Sequence, residues 1–231
     1  MRKDQTLPSG KWVFDKAVTD VFDDMLERSI PDYAGMRRTT TELAVRFAQP
    51  KTALVDLGCS RGAAIKPIFQ ELENSLSYFG IEVSEPMRQA AILELPYATI
   101  LDTDLRHDYP PVRASVTLAV LTLQFIPIEY RQDIIQRVYD STTKGGAFLL
   151  VEKVLGGDSF SNQLLIDTYL ARKGENGYTA EQIARKRESL EGVLVPVTAD
   201  WNAEMLRTAG FSHVECYWRH LNFGAWIGIK K

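Results

Sequence analysis

The chain of 231 residues holds only two cysteines, Cys59 and Cys216, and three histidines, His107, His213 and His220. Two thiols cannot build a disulfide scaffold or a four-cysteine zinc centre, and they suit a reducing, cytoplasmic compartment. The histidines show no metal-ligand spacing, so no metal is expected. Apolar runs such as Val116 to Leu121, itself broken by Thr117, fall far short of the ~20 residues of a membrane span. The start Met1-Arg2-Lys3-Asp4-Gln5-Thr6 leads into no apolar stretch, which argues against a secretory signal. Charge of one sign is also missing: 27 Lys+Arg stand against 30 Asp+Glu, a net charge of −3. Neither a membrane nor direct nucleic-acid binding is therefore expected. What the chain does have, 45% hydrophobic and 25% charged residues, suits a globular enzyme with a substantial core.

From Trp12 to Gln49 the pattern is helical, with Val18, Val21, Phe22, Met25 and Leu26 on one face and a bend at Ile30-Pro31-Asp32-Tyr33. Pro8-Ser9-Gly10 reads as a flexible lead-in to it. Strands are expected at 53–57, 77–82, 97–101, 115–121, 147–152, 214–218 and 225–229. Helices are expected at 63–72, from Ser84 onward, and at 127–140 and 199–208. Such alternation, about once every 25–30 residues, predicts a mostly parallel α/β sheet. Lys144-Gly145-Gly146 reads as the turn into the fifth strand. Asn222-Phe223-Gly224 is too short a link for a helical crossover, so the last two strands should pair antiparallel. Residues 1–50 form an N-terminal helical cover, and 51–231 the main domain. That domain carries an insertion at about 155–198, helical at 159–172 and 179–190, of the kind that forms lids or subunit contacts.

The first strand-to-helix turn is Asp56-Leu57-Gly58-Cys59-Ser60-Arg61-Gly62. Glycines there let backbone approach a ligand, and helix N–H groups face the same crevice. Glu82 ends the second strand 24 positions beyond Gly58, close to the spacing at which an acid bonds ribose hydroxyls. Cys59 and Ser60 break the dinucleotide fingerprint, and no Gly-Lys-Ser/Thr follows to make a P-loop. An acid just before the loop, with one glycine after it, is the pattern of S-adenosylmethionine (SAM) proteins of the Rossmann-like class I methyltransferase type. The expected fold is therefore that α/β sheet, seven-stranded, with an antiparallel last strand.

Segments spread over the chain carry a closer resemblance: Trp12-Val13-Phe14-Asp15, Arg28-Ser29-Ile30-Pro31, Asp56-Leu57-Gly58-Cys59-Ser60, Thr122-Leu123-Gln124-Phe125, Glu152-Lys153, Asn176-Gly177-Tyr178, Lys186-Arg187 and Asn222-Phe223-Gly224. On these the chain resembles the carboxy-S-adenosyl-L-methionine (carboxy-SAM) synthases. The resemblance implies carboxyl transfer from prephenate to the SAM methyl through a sulfonium ylide, serving tRNA wobble uridine modification, in a cytoplasmic homodimer. It also implies site roles, with SAM or carboxy-SAM as the bound cofactor. Tyr33 would contact it from the cover, Asp56 would bind it, Gly58, Cys59 and Ser60 would line the methionine end, and Glu82 with Val83 the ribose. Asp104 and Leu105 would bracket the adenine. Arg187 would grip the new carboxylate, a task suited to a planar guanidinium.

Departures from the family pattern stand beside the matches. Val120 replaces an Asn that touches the cofactor, Glu82 replaces an Asp, and Arg61 is unusual in the loop. The pattern ahead of Asn176-Gly177-Tyr178 is mostly lost in Tyr169-Leu170-Ala171-Arg172-Lys173. Cys59 reads as a small side chain in a tight turn rather than a nucleophile. Trp201, Trp218 and Trp226 read as core or interface. Two other readings stay open: a SAM-dependent methyltransferase of a small molecule or RNA, and a non-catalytic SAM-binding subunit.

Overall fold

The computed structural model describes residues 3–231. Asp15 opens α1 (Lys16–Ser29) by accepting the Val18 N–H at 2.9 Å, and the helix ends at extended Ile30, ahead of Pro31. α2 (Tyr33–Phe47) follows at once, so the bend lies where proline forces it. The two helices bury different faces. α1 turns Val18, Phe22 and Met25 into a cluster with Trp12 and Met87, whereas α2 lays Met36 and Ala44 against the sheet.

The sheet holds β1 (Ala53–Leu57), β2 (Ser77–Ile81), β3 (Thr99–Leu101), β4 (Ala114–Val120), β5 (Thr142–Leu155), β7 (His213–His220) and β8 (Phe223–Ile229) in the order β3-β2-β1-β4-β5-β8-β7. β1 to β5 run parallel, and β8 is antiparallel to both its neighbours. β1 is buried at every position, as a central strand covered on both faces must be. Helices α3 (Ile65–Leu72), α4 (Glu85–Glu94), α5 (Ile128–Ser141) and α8 (Ala199–Ala209) make the crossovers. Ser84 caps α4 with Pro86 in the first turn. The chain passes from one side of β1 to the other between β3 and β4. The carboxyl ends of β1 and β4 are thus the switch point where such sheets bind ligands.

Four local expectations differ. An eighth strand, β6 (Val197–Thr198), pairs with the end of β5, and two residues carry too little pattern to announce it. β3 starts at Thr99 because the Tyr97 ring is stacked on Phe69 of α3, centroids 3.4 Å apart. β5 begins at Thr142: the Gly145 N–H donates to Lys230 O at 2.7 Å and the Lys230 N–H to Gly146 O at 3.0 Å, so the supposed turn belongs to the ladder. The final hairpin keeps only Leu221 and Asn222 as its turn. Gly224 lies inside β8, where a Cβ would meet the Trp226 ring at 2.5 Å.

The insertion forms α6 (Ser159–Glu175) and α7 (Ala180–Leu190), the latter opened by a Thr179/Gln182 capping box. The chain is anchored on both sides of Pro8-Ser9-Gly10. Asp4 is fully buried, and the Trp12 N–H donates to Ser189 O at 2.9 Å, tying the segment ahead of α1 to α7.

Candidate active site

The loop after β1 is built on left-handed backbone. Gly58, Ser60 and Gly62 have φ of 67°, 49° and 83°. A Cβ on Gly58 would lie 2.5 Å from the Thr122 side chain, so the position demands glycine twice over. Thr122 is fixed there by donating to Leu57 O at 2.7 Å. Glu82 holds the loop from the neighbouring strand end: its carboxylate accepts the Ser60 N–H at 2.9 Å and the Ser84 N–H at 2.8 Å. Burial raises its pKa against these bonds. Burial also pushes the Cys59 thiol far up, with Asp56 and Glu82 adding to it, so Cys59 stays a neutral packing group.

A cavity of about 520 Å³ opens over the carboxyl ends of β1, β2 and β4. All ten residues assigned to the cofactor, from Tyr33 to Val120, line it. Asp56 is 2% exposed, and its carboxylate has no hydrogen-bond donor among the described residues. Burial drives its pKa to about 7, with the Arg37 guanidinium opposing and Glu82 adding to the rise. Asp104 is the opposite case. The Arg106 fork grips it, with Nε donating at 2.9 Å and Nη2 at 2.5 Å, and holds it at about 2.

The far end of the cavity is basic. Lys153 from the end of β5, Lys173 from α6 and Lys186 from α7 line it together. Lys186 is paired with Asp4, which also accepts from Tyr178 Oη at 2.6 Å and from Thr6 Oγ1 at 2.7 Å. Burial lowers the Lys186 pKa against that ion pair. Lys153 and Lys173 are each pushed down to about 8, first by burial and then by neighbouring cations, Arg187 in the case of Lys153. Arg187 itself does not line the cavity. It is exposed on α7, and the residue that α7 turns inward is its neighbour Lys186.

Aromatic rings close the cavity from the cover. Phe14 packs edge-on against Phe125 at 5.0 Å and Trp12 at 6.2 Å, and all three line the space. Arg61 has a place after all: its guanidinium meets Asp23 of α1 at 3.0 Å and locks the cover to the loop. Of the three tryptophans read as core or interface, Trp226 is buried, Trp218 donates to Asp32 at 3.1 Å and Trp201 is 47% exposed.

No family model matches the chain. It is 38% identical over 224 residues to the carboxy-S-adenosyl-L-methionine synthase of Methylococcus capsulatus, covering 94% of this chain and 93% of that protein. The synthase of Aeromonas salmonicida is 36% identical, with 96% and 92% covered. The chain belongs to the carboxy-S-adenosyl-L-methionine synthase family. Solved structures share the fold at low identity. DesVI of Streptomyces venezuelae gives a TM-score of 0.65 at 14% identity, covering 95% of this chain and 100% of that one. The plantazolicin methyltransferase BpumL in complex with SAH gives 0.65 at 13%, with 92% and 91% covered. The expected class I methyltransferase fold is thus observed.

Within that family frame, reading the sequence missed Asp4 and gave Lys153 and Lys173 no role. Asp4 meets Lys186 across 182 positions, which no local pattern reveals. Lys173 stood in a stretch set aside as divergent.

Proposed function

We propose that this protein is a carboxy-SAM synthase, moving a carboxyl group from prephenate to the methyl carbon of SAM. The observation that carries the reading is a single cavity that is acidic beside the glycine loop and basic beneath the insertion. The acidic end fits SAM. Asp56 is buried without a donor, so a ligand ammonium or sulfonium would supply its missing partner. Gly58 leaves the loop open to close approach, and Asp104 with Leu105 edges the adenine.

SAM, a substrate of this reaction, supplies acidic sulfonium-methyl protons and, through a transient ylide, the electron pair for the new C–C bond. The donor's ring carboxyl departs as CO₂ while its bonding electrons aromatise the ring. The ring hydroxyl leaves and takes up the methyl proton as water, and phenylpyruvate remains. The chain's part is to hold both ligands together, exclude water beneath Phe14 and Phe125, and keep cations near the migrating carboxylate. Arg187 is assigned to that carboxylate by the family resemblance; it stands exposed on α7, on the same helix as the inward Lys186, and has to swing inward to reach it.

On this reading the product serves tRNA wobble uridine modification, and the protein works as a cytoplasmic homodimer. Phe160 and Leu164, 78% and 57% exposed at i,i+4 on α6, support a second copy as partner. The test is mass spectrometry of SAM and prephenate incubated with the protein. A product heavier than SAM by one CO₂, with an equal amount of phenylpyruvate, is expected. SAM binding without either product overturns the reading.

A further inference from the structure

Lys153 and Lys173 come from different elements yet stand over the same ring: their Nζ atoms lie 4.8 and 5.6 Å from the centroid of Tyr169. Neither ammonium has a hydrogen-bond or ion-pair partner among the described residues. Lys173 is only 7% exposed, and both side chains line the cavity. The acids nearby are engaged elsewhere. Asp4 is committed to Lys186, Tyr178 and Thr6. Glu152, next to Lys153 on the strand, points to the other face and accepts the Leu123 and Gln124 N–H groups. One buried and one half-buried cation without a counter-charge are costly unless a ligand brings one. Tyr169 also packs against Phe223 at 5.6 Å, giving the corner an apolar ring surface beside its two charges.

We infer that Lys153 and Lys173, both over the Tyr169 ring, form the seat for the two carboxylates of the donor, a dicarboxylate site separate from the glycine loop that takes SAM. A monoanion would leave one lysine unmatched, and an uncharged acceptor would leave both. The inference rests on the carboxyl-transfer reading for the donor's identity, but the seat itself follows from the lysines. Lys153 faces Arg187 on α7, and Lys173 faces Lys186, Arg28 and Asp4, so the surroundings carry an excess of cations. Each lysine loses its charge as pH rises through about 8, and dicarboxylate affinity should fall over the same range.

Calorimetric titration of SAH-loaded protein with prephenate, and with benzylsuccinate as an unreactive dicarboxylate, tests this. Lys153→Gln and Lys173→Gln should each weaken dicarboxylate binding by about tenfold or more. SAH affinity should stay within about twofold and the melting temperature should not fall, because removing an unpaired cation from a partly or fully buried site relieves a cost. Wild-type protein that binds SAH but neither dicarboxylate overturns the seat, as do variants that bind dicarboxylate like wild type. Lysine-dependent dicarboxylate binding with no carboxylated product keeps the seat and overturns the carboxyl-transfer reading instead.

Discussion

Glu152 and Gln124 cross-link their two segments: the Glu152 carboxylate accepts the Gln124 backbone N–H at 2.7 Å, and Gln124 Oε1 accepts the N–H of Lys153, next to Glu152, at 2.7 Å. The pair fastens the turn after β4 to the end of β5, so two sequence motifs that resembled a known family form one clamp. Arg131, 2% exposed, closes it from below by donating to Ile126 O and Val195 O at 2.8 Å. Glu152→Ala would strand two backbone N–H groups and the Arg131 charge in the interior. A loss of about 3–5 kcal/mol in denaturant unfolding is expected; a loss below about 1 kcal/mol would show that the clamp is dispensable.

Stability of the ligand-free protein should pass through a minimum near pH 8. Asp56 and Glu152 are raised to about 7 and 8, so the native state holds more protons than the unfolded chain above the ordinary carboxylate range. Their contribution to stability falls as pH rises toward 8. Lys153 and Lys173, lowered to about 8, hold fewer protons than in the unfolded chain above that point, so stability recovers toward pH 10. Melting temperatures measured from pH 5.5 to 10 check the shape. A maximum near pH 8 would contradict it.

Binding of SAH or SAM should release protons around neutral pH. A ligand cation beside Asp56 favours its ionised form and returns its pKa from about 7 toward the ordinary range. Calorimetry in buffers of different ionisation enthalpy would detect the proton. In Asp56→Asn the release should vanish, and affinity should drop about tenfold or more.

Gly58→Ala should abolish cofactor binding. The added methyl would lie 2.5 Å from Thr122, on a residue with φ of 67°. The left-handed strain alone is worth about 1–2 kcal/mol, and the clash displaces the loop that carries Ser60. Equilibrium dialysis with SAH reads the loss directly; retained affinity would mean that the loop is not part of the SAM seat.

Arg187→Ala should erase the preference for carboxy-SAM over SAM if the guanidinium, which does not line the cavity itself, swings from α7 to the new carboxylate; SAH, which has no such carboxylate, should bind unchanged. Competitive displacement of SAH by each compound measures the ratio. An unchanged ratio would remove Arg187 from the site and leave the selectivity to the inward lysines.

The central strands were legible because burial on both faces imposes continuous apolar runs, as in Ala147 to Val151. The glycine loop and Glu82 were legible because local geometry fixes their spacing. The basic end of the cavity was not. Lys173 and Lys186 look like the solvated charges of two surface helices, and only tertiary packing reveals that they turn inward. Arg61 looked like an anomaly in the loop because its partner Asp23 lies on a separate helix.

β6 gives the region between β5 and α8 a property that its length conceals. Val197 pairs with Val154 and Thr198 with Leu155, so the chain leaves β5 and returns beside the point of departure. Ends held one strand spacing apart, about 5 Å, add little closure penalty to the sheet whatever lies between them. The segment that carries Lys173 and Arg187 is thus mounted as a cassette. A scaffold of this kind can exchange that cassette for another and change its chemistry without rebuilding its core.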